Sequence, residues 1–488
     1  MNDITAFFAF LKYCLGYKEN MSRVIAGMNW HELYSFASKQ ALLGLCFEGI
    51  ERLGEEYPEE LKRNPIGREL LMTWMGKAQQ IRRQNMKVNA VASKLFSMLR
   101  EDGLRCCILK GQGNALMYPN AYSRNPGDID VWIDASRERI MEYAQKKFEL
   151  GDDIRLQHLE TSLDGVPVEL HFFPCSMNNP IYHARLQKWF RRNADLQCSH
   201  IVGLPDEAGD IAIPTTAFNV VYQLTHLYHH FFDEGIGMRQ IIDYFLVVND
   251  FSKNVFLDHD LSNHPVNFSN HPVPLSKEGS TFSPSPSSMV FTPPSVPPFP
   301  GGRNLRSGDV TAPSRCSEPL RSKDGGPSKV SPDCEGWDRR GVSGDTGSVS
   351  CSSASGSSIT SVSSASTTDS SASTALDVVQ RELKYLGLWK FAGAVMYVLK
   401  EVLGLAEDKM IVPMDEKRGR LLLAEILDGG NFGRHFTKYA GFTHQSMGKK
   451  YFLKIWRNMH FVRYYPAEAL SEPIFRTWHF FWRVKNKK

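Results

Sequence analysis

The stretch Asp128-Ile129-Asp130-Val131-Trp132-Ile133 constrains this chain more than any other, because it alternates acid and apolar residue in the period of a β-strand. Side chains at i and i+2 of a strand point to one face, so Asp128 and Asp130 are aimed side by side at one spot. Two like charges that close repel each other. Solvent or a divalent cation between them removes the conflict, and Mg²⁺ favours hard carboxylate oxygens together with substrate phosphates. Taken alone, the motif also reads as a solvated strand end with two acids on its rim.

Two neighbouring stretches sharpen the reading. Upstream, Leu104 to Leu109 reads as a buried strand that runs into Lys110-Gly111-Gln112-Gly113-Asn114 and then a helical stretch from Ala115 to Tyr118. Strand, glycine turn and helix start present free backbone N–H groups to an anion, and Lys110 adds a point charge. A plain Lys-Gly turn is the simpler reading of that piece by itself. Downstream, Gly165 to Phe173 reads as a second strand, with Glu169 and His171 on one face and Val168, Leu170 and Phe172 on the other. A third carboxylate on a strand beside Asp-x-Asp completes the donor set of a two-metal site for in-line displacement.

Together these pieces resemble the nucleotidyltransferase fold of the DNA polymerase beta superfamily: a glycine turn before a helix, Asp-x-Asp on a strand, and one more acid on a later strand. Leu109-Lys110-Gly111, Tyr118-Pro119, Arg124, Gly127-Asp128-Ile129-Asp130 and Val168-Glu169-Leu170-His171 resemble more closely an uncharacterised bacterial nucleotidyltransferase family within it. Gly235-Ile236-Gly237-Met238-Arg239-Gln240 and Gly429-Gly430-Asn431-Phe432-Gly433 continue the resemblance, which spans nearly the whole chain except about 253–374. The turn departs from the superfamily in carrying Gln112 where Ser or Gly is usual. The resemblance implies an α+β protein: a mixed-sheet nucleotidyltransferase core with N-terminal helices and a C-terminal helical domain.

It also implies a function. The expected activity is Mg²⁺-dependent (or Mn²⁺-dependent) transfer of a nucleotidyl group from an NTP to a hydroxyl-bearing acceptor: a small molecule, a sugar, a protein side chain or RNA. Asp128, Asp130 and Glu169 are the expected catalytic and metal-binding residues, with Glu169 also the base. Lys110 and Gly111 are expected at the triphosphate, and Arg124 and His171 as further substrate contacts. A catalytically inactive nucleotide sensor and an interaction scaffold on the same fold are the alternatives.

Composition sets outer limits. The 488 residues suffice for more than one domain, and 42% hydrophobic residues suffice for a core. A formal charge of +4 gives no strong nucleic-acid signal. The nine cysteines are scattered without zinc-ligand spacing, and Met1-Asn2-Asp3-Ile4-Thr5 lacks a basic n-region. A reduced, cytoplasmic interior is the expectation. No apolar run is long enough for a bilayer; Phe7 to Leu15 is short and interrupted by Lys12.

Along the chain, residues 1–100 read as an N-terminal helical region, with apolar three- and four-residue spacing over Trp30–Gly54 and Glu69–Leu99. Arg82, Arg83, Lys87 and Lys94 read as a solvated face of the second of these. Residues 101–200 read as the catalytic core, including a helix over Ser136–Leu150 capped at Asp134 or Ser136. Residues 201–252 and 375–488 read as one helical domain. In it Arg239–Leu246 ends one helix and Leu376–Leu405 resumes the pattern. Between them, 253–374 is rich in Ser, Pro, Gly and Thr and reads as a disordered insert, because it lacks the apolar surface to offset the entropy of ordering.

Three further constellations stand out. His226 and His230 lie four apart, on one helical face, beside His229, Asp233 and Glu234; a partly buried histidine pair is the simplest reading, a phosphate-facing one the other. Arg239 and Asp243, also four apart, read as an ion pair. The aromatic run from Trp478 to Trp482, followed by basic residues, reads as core packing with a frayed basic tail rather than as a membrane anchor.

Overall fold

The computed structural model describes residues 3–150, 155–257, 369–436 and 447–486, all within one compact unit. Six helices come first: α1 (Asp3–Cys14), α2 (Ser22–Ala26), α3 (Trp30–Lys39), α4 (Leu43–Glu56), α5 (Pro58–Arg63) and α6 (Arg68–Glu101). A mixed region follows: β1 (Cys106–Leu109), α7 (Gly111–Ala115), β2 (Ile129–Ile133), α8 (Arg137–Lys147), β3 (His158–Leu163), β4 (Val166–His171), α9 (Pro180–Ser199), β5 (Ile201–Gly203) and β6 (Asp210–Ala212). Helices then return: α10 (Thr216–Asp233), α11 (Met238–Leu257), α12 (Asp369–Tyr385), α13 (Trp389–Leu403), α14 (Glu416–Gly429), α15 (Met447–Met459) and α16 (Pro466–Asn486). The fold is α+β, with a small mixed sheet among many helices.

The four-stranded sheet has the order β1-β2-β4-β3. β1 runs antiparallel to β2, β2 parallel to β4, and β3 antiparallel to β4. Asp164 and Gly165 form a two-residue hairpin between β3 and β4, both at positive φ (50° and 71°). That is the twist a tight hairpin needs, and Asp-Gly is a favoured pair for it. Strand alternation splits the sheet into two faces. Ile108, Ile129, Val131, Val168 and Leu170 pack with Val88, Val91, Leu95 and Leu99 of α6 and Ile140 of α8 in one core. The opposite face carries Asp130, Glu169, His171 and His158, and Trp132 on that face enters the larger helical core with Phe190 and Phe218.

Several sequence expectations shift in detail. The stretch Trp30–Gly54 is two helices, not one: α3 stops at Gln40, where Ala41 takes a left-handed φ of 57° and Leu42 N–H closes onto Ala37 O at 2.7 Å. Gln40 then ties distant helices together: its Oε1 accepts from Met238 N at 2.8 Å and its Nε2 donates to Ile426 O at 3.0 Å. The helix after Lys110 starts at Gly111 rather than at Ala115. Ser136, not Asp134, caps α8, accepting from Arg139 N. The helix through Arg239–Leu246 starts at Met238 and continues to Leu257 instead of ending. Leu376–Leu405 is broken at Gly387, whose φ is 74°.

Of the tract read as an insert, residues 258–368 lie outside the described residues, and its described margins belong to α11 and α12. Its histidines, His259, His264 and His271, lie in that stretch. Arg82, Arg83 and Lys87 are exposed on α6 as expected, and exposed Lys94 pairs with Asp164 at 2.7 Å. The aromatic run of α16 does not pack into a core: Trp478, Phe480 and Phe481 are 50%, 54% and 65% exposed. Among the described residues no helix is long and apolar enough to cross a membrane.

Candidate active site

The site begins with sheet register. Asp130 on β2 is paired with Glu169 on β4, and Glu169 with Glu160 on β3. His171 sits two residues beyond Glu169 on the same face and opposite His158 of β3. Asp128 falls just before β2, exposed at the strand end. These side chains open into a cavity of about 600 Å³. Its other walls come from His226, His229, His230 and Asp233 of α10, from Phe432, Gly433 and Arg434 beyond α14, and from Lys454 and Arg457 of α15.

Asp130 is the hub. Lys110 Nζ donates to its carboxylate at 3.1 Å, and His171 Nε2 lies 3.0 Å from Oδ1. Burial pushes the Asp130 carboxyl up, but the Lys110 ammonium and the His171 imidazole outweigh it and hold the group well below the carboxylate range. Asp128 has no such partner. The charge of Asp130 beside it, then desolvation, then Glu169, pushes it up to about 6. The donor set is three carboxylates whose mutual repulsion is left unrelieved at Asp128, which fits a divalent cation.

His171 bridges the two strands: the same Nε2 is 3.1 Å from Glu169 Oε2. Burial opposes its charge, yet its hydrogen bonds to Asp130 and Glu169 push it up to about 9. Glu169, resisted by burial, is held below its ordinary value by His171. His158 approaches from the other side, with Nδ1 3.3 Å from Glu169 Oε2, and burial pushes it down to about 4. The ligand atoms of His158, Glu169 and His171 all lie within 4.8 Å of one another, a grouping able to hold a metal ion.

Lys110 occupies a strained turn, with φ 52° and ψ −128°, a region L-residues rarely adopt. That conformation turns its ammonium back over the sheet to Asp130 and to His226 Nε2, 2.8 Å away. His230 Nε2 lies 3.0 Å from the same His226 nitrogen. Burial, with Lys110 adding to it, pushes His226 well down; burial with His229 pushes His230 to about 3. The pair is thus neutral and lines the cavity, so the histidines are buried partners of the lysine and walls of the site at once.

Two expected contacts find other partners. Arg124 Nε and Nη2 donate to Asp243 at 2.9 and 2.8 Å, and Tyr118 donates to the same carboxylate at 2.8 Å. Its guanidinium is therefore engaged within the protein rather than offered to a ligand, although it borders a small side pocket with Gly111 and Asp128. Asp243 consequently pairs with Arg124 and not with Arg239, whose Nη1 donates to Asn125 O at 3.0 Å. Both α11 side chains grip the loop that carries Asp128.

The two glycine segments meet. A Cβ on Gly237 would stand 2.7 Å from Asn431 Cα, and one on Gly433 1.9 Å from Glu234 O. Only glycine permits this approach, and it sets Phe432 and Arg434 at the cavity rim. Sequence reasoning missed His158, Lys454 and Arg457. The Asp164-Gly165 turn with alternating Leu159, Thr161 and Leu163 marks the hairpin bearing His158. The contribution of α15 has no local signal.

Residues 26–262 match the sequence model of a family described as uncharacterised nucleotidyltransferase. No curated protein and no solved structure matches the chain. The matched stretch carries the carboxylates, Lys110 and the histidines of α10, and over it the chain is similar to the uncharacterised nucleotidyltransferase family.

Proposed function

We propose that the protein moves a nucleotidyl group from an NTP to a hydroxyl-bearing acceptor. The observation that carries this reading is the strand register: Asp130 and Glu169 are neighbours on parallel strands, with Asp128 at the strand end, at the floor of a cavity whose walls mix Arg434, Lys454 and Arg457 with Asp233 and Glu234. Asp128, Asp130 and Glu169 would hold Mg²⁺ or Mn²⁺, which would neutralise and orient the phosphates. Lys110 and the backbone of Gly111 border the carboxylates where a triphosphate would lie, and Arg434 lies across the cavity together with Lys454, which is paired with Asp233 at 3.1 Å. The acceptor oxygen attacks the α-phosphorus, the bond to pyrophosphate breaks with its electron pair, and the hydroxyl proton passes to ionised Glu169. Most of the catalysis is positioning and charge neutralisation.

A nucleotide-binding module without turnover is the second reading. It is favoured by the Asp130 carboxylate, which already has two cationic partners in Lys110 and His171. Calorimetric titration of ATP, CTP, GTP and UTP with and without Mg²⁺, followed by assay for pyrophosphate release, separates the two. Mg²⁺-dependent binding with pyrophosphate release that disappears in Asp128→Asn supports transfer. Binding without release across acceptor classes supports the sensor, and absence of nucleotide binding overturns both.

A further inference from the structure

We propose that His158, Glu169 and His171 form a separate site for a transition-metal ion of the zinc, cobalt or manganese type. The proposal shares Glu169 with the nucleotide site but does not depend on nucleotidyl transfer.

Geometry comes first. Glu169 Oε2 lies 3.1 Å from His171 Nε2 and 3.3 Å from His158 Nδ1. A tetrahedral ion with bonds of about 2.0–2.1 Å sets its ligand atoms roughly 3.3 Å apart, which the two separations from Glu169 match, and all three ligand atoms lie within 4.8 Å of one another. Two strands and one hairpin fix them: His158 faces His171 across β3 and β4, and Glu169 is two residues from His171. The spacing therefore follows from strand register rather than from flexible loops.

A second observation is independent of those distances. His158 is 8% exposed, and neither of its ring nitrogens makes a hydrogen bond, although Nδ1 stands 3.3 Å from Glu169 Oε2 and Nε2 3.8 Å from Glu160 Oε1. A buried polar group without a partner carries a desolvation penalty that native structures rarely leave standing. An imidazole in that state has a lone pair on offer, and a metal ion at its Nδ1 satisfies it.

The donor chemistry chooses the ion. With the Nε2 proton of His171 displaced by the ion and released to solvent, two imidazoles and one carboxylate suit Zn²⁺, Co²⁺ or Mn²⁺ and do not suit Mg²⁺, which prefers an all-oxygen shell. Three protein ligands leave an open coordination position, the arrangement of a catalytic rather than a structural ion. All three residues line the cavity. Asp130 Oδ1, 3.0 Å from His171 Nε2, is the nearest group of the neighbouring oxygen-rich site.

The test uses the full chain, stripped with a chelator and titrated with Co²⁺ alone while the visible ligand-field band is followed, with Zn²⁺ as competitor. The expected result is an intense low-symmetry band that Zn²⁺ displaces. His158→Phe, which keeps a ring in the buried position, should abolish that band and weaken binding by about tenfold or more. Asp128→Asn should leave it in place. Thermal unfolding in chelator checks that His158→Phe is folded, and His158→Gln, read the same way, serves if it is not. A wild-type chain without the band, or a band that survives the His158 substitutions, overturns the proposal. A band that depends on His158 in a protein that turns over no NTP upholds it while the transferase reading fails.

Discussion

Asp130 and Glu169 are direct neighbours on parallel strands, each with its carboxylate on the sheet face away from α6. The pairing joins two acids distant in sequence and makes Asp130 the shared partner of Lys110 and His171. It also separates the two acids of the Asp-x-Asp motif: Asp130 is buried and paired, Asp128 is exposed and unrelieved.

The two aspartates should therefore respond differently. Asp128→Asn should abolish Mg²⁺-dependent nucleotide turnover while leaving stability unchanged or raised by about 1 kcal/mol or less, because it removes only repulsion. Asp130→Asn should abolish turnover and also cost about 3 kcal/mol, because it strands Lys110 and His171 without their counter-charge. Turnover and denaturant unfolding of both variants check this; equal stability of the two would refute the assignment of Asp130 as the hub.

Arg124 should behave as a structural residue. Arg124→Ala leaves Asp243 buried without its two-pronged partner and should cost about 3–5 kcal/mol. Asp243→Ala in the same chain should recover part of that loss, since no buried charge is then left over. A double-mutant cycle by chemical unfolding measures the coupling. Additive losses would mean that the pair contributes nothing specific.

The contact between the glycine segments gives a matched pair of substitutions. Gly237→Ala drives a Cβ to 2.7 Å from Asn431 Cα and should destabilise by about 1–3 kcal/mol while weakening nucleotide binding through Phe432 and Arg434. Gly76→Ala, in open space on α6, should stabilise by about 0.5–1 kcal/mol through helix propensity. Melting temperatures of opposite sign are the expected outcome.

Glu468 on α16 predicts a pH dependence. Its two carboxyl oxygens accept from Asn178 N at 2.6 Å and Asn179 N at 3.2 Å, yet burial pushes it up to about 7 from an ordinary 4.5. Because the folded form binds the proton more tightly, this group's contribution to stability is full below about pH 4.5 and is lost as pH rises through about 7, by roughly 3 kcal/mol. Glu468→Gln should flatten stability against pH in that window, whatever its absolute stability. An unchanged slope would show that other groups set it.

The reading of 253–374 as an insert is testable by excision. α11 and α12 pack on one another, so deleting 258–368 and closing the ends with a Gly/Ser linker should leave a folded chain. Melting within a few degrees of the parent, with nucleotide binding retained, is expected; aggregation would show that the tract belongs to the fold.

The sequence alone determined which residues share a face. Period-two alternation set Glu169 and His171 together opposite Val168 and Leu170, and three- and four-residue spacing put His226 beside His230. Such patterns are local, because they follow from backbone geometry within one element. Only the tertiary structure decided partners. It paired β2 with β4, brought His158 across a hairpin to Glu169, gave Asp243 to Arg124 instead of Arg239, and set Lys454 of α15 at the same cavity. Those choices depend on how whole faces bury against one another, and a local period fixes a direction but not what will be met there.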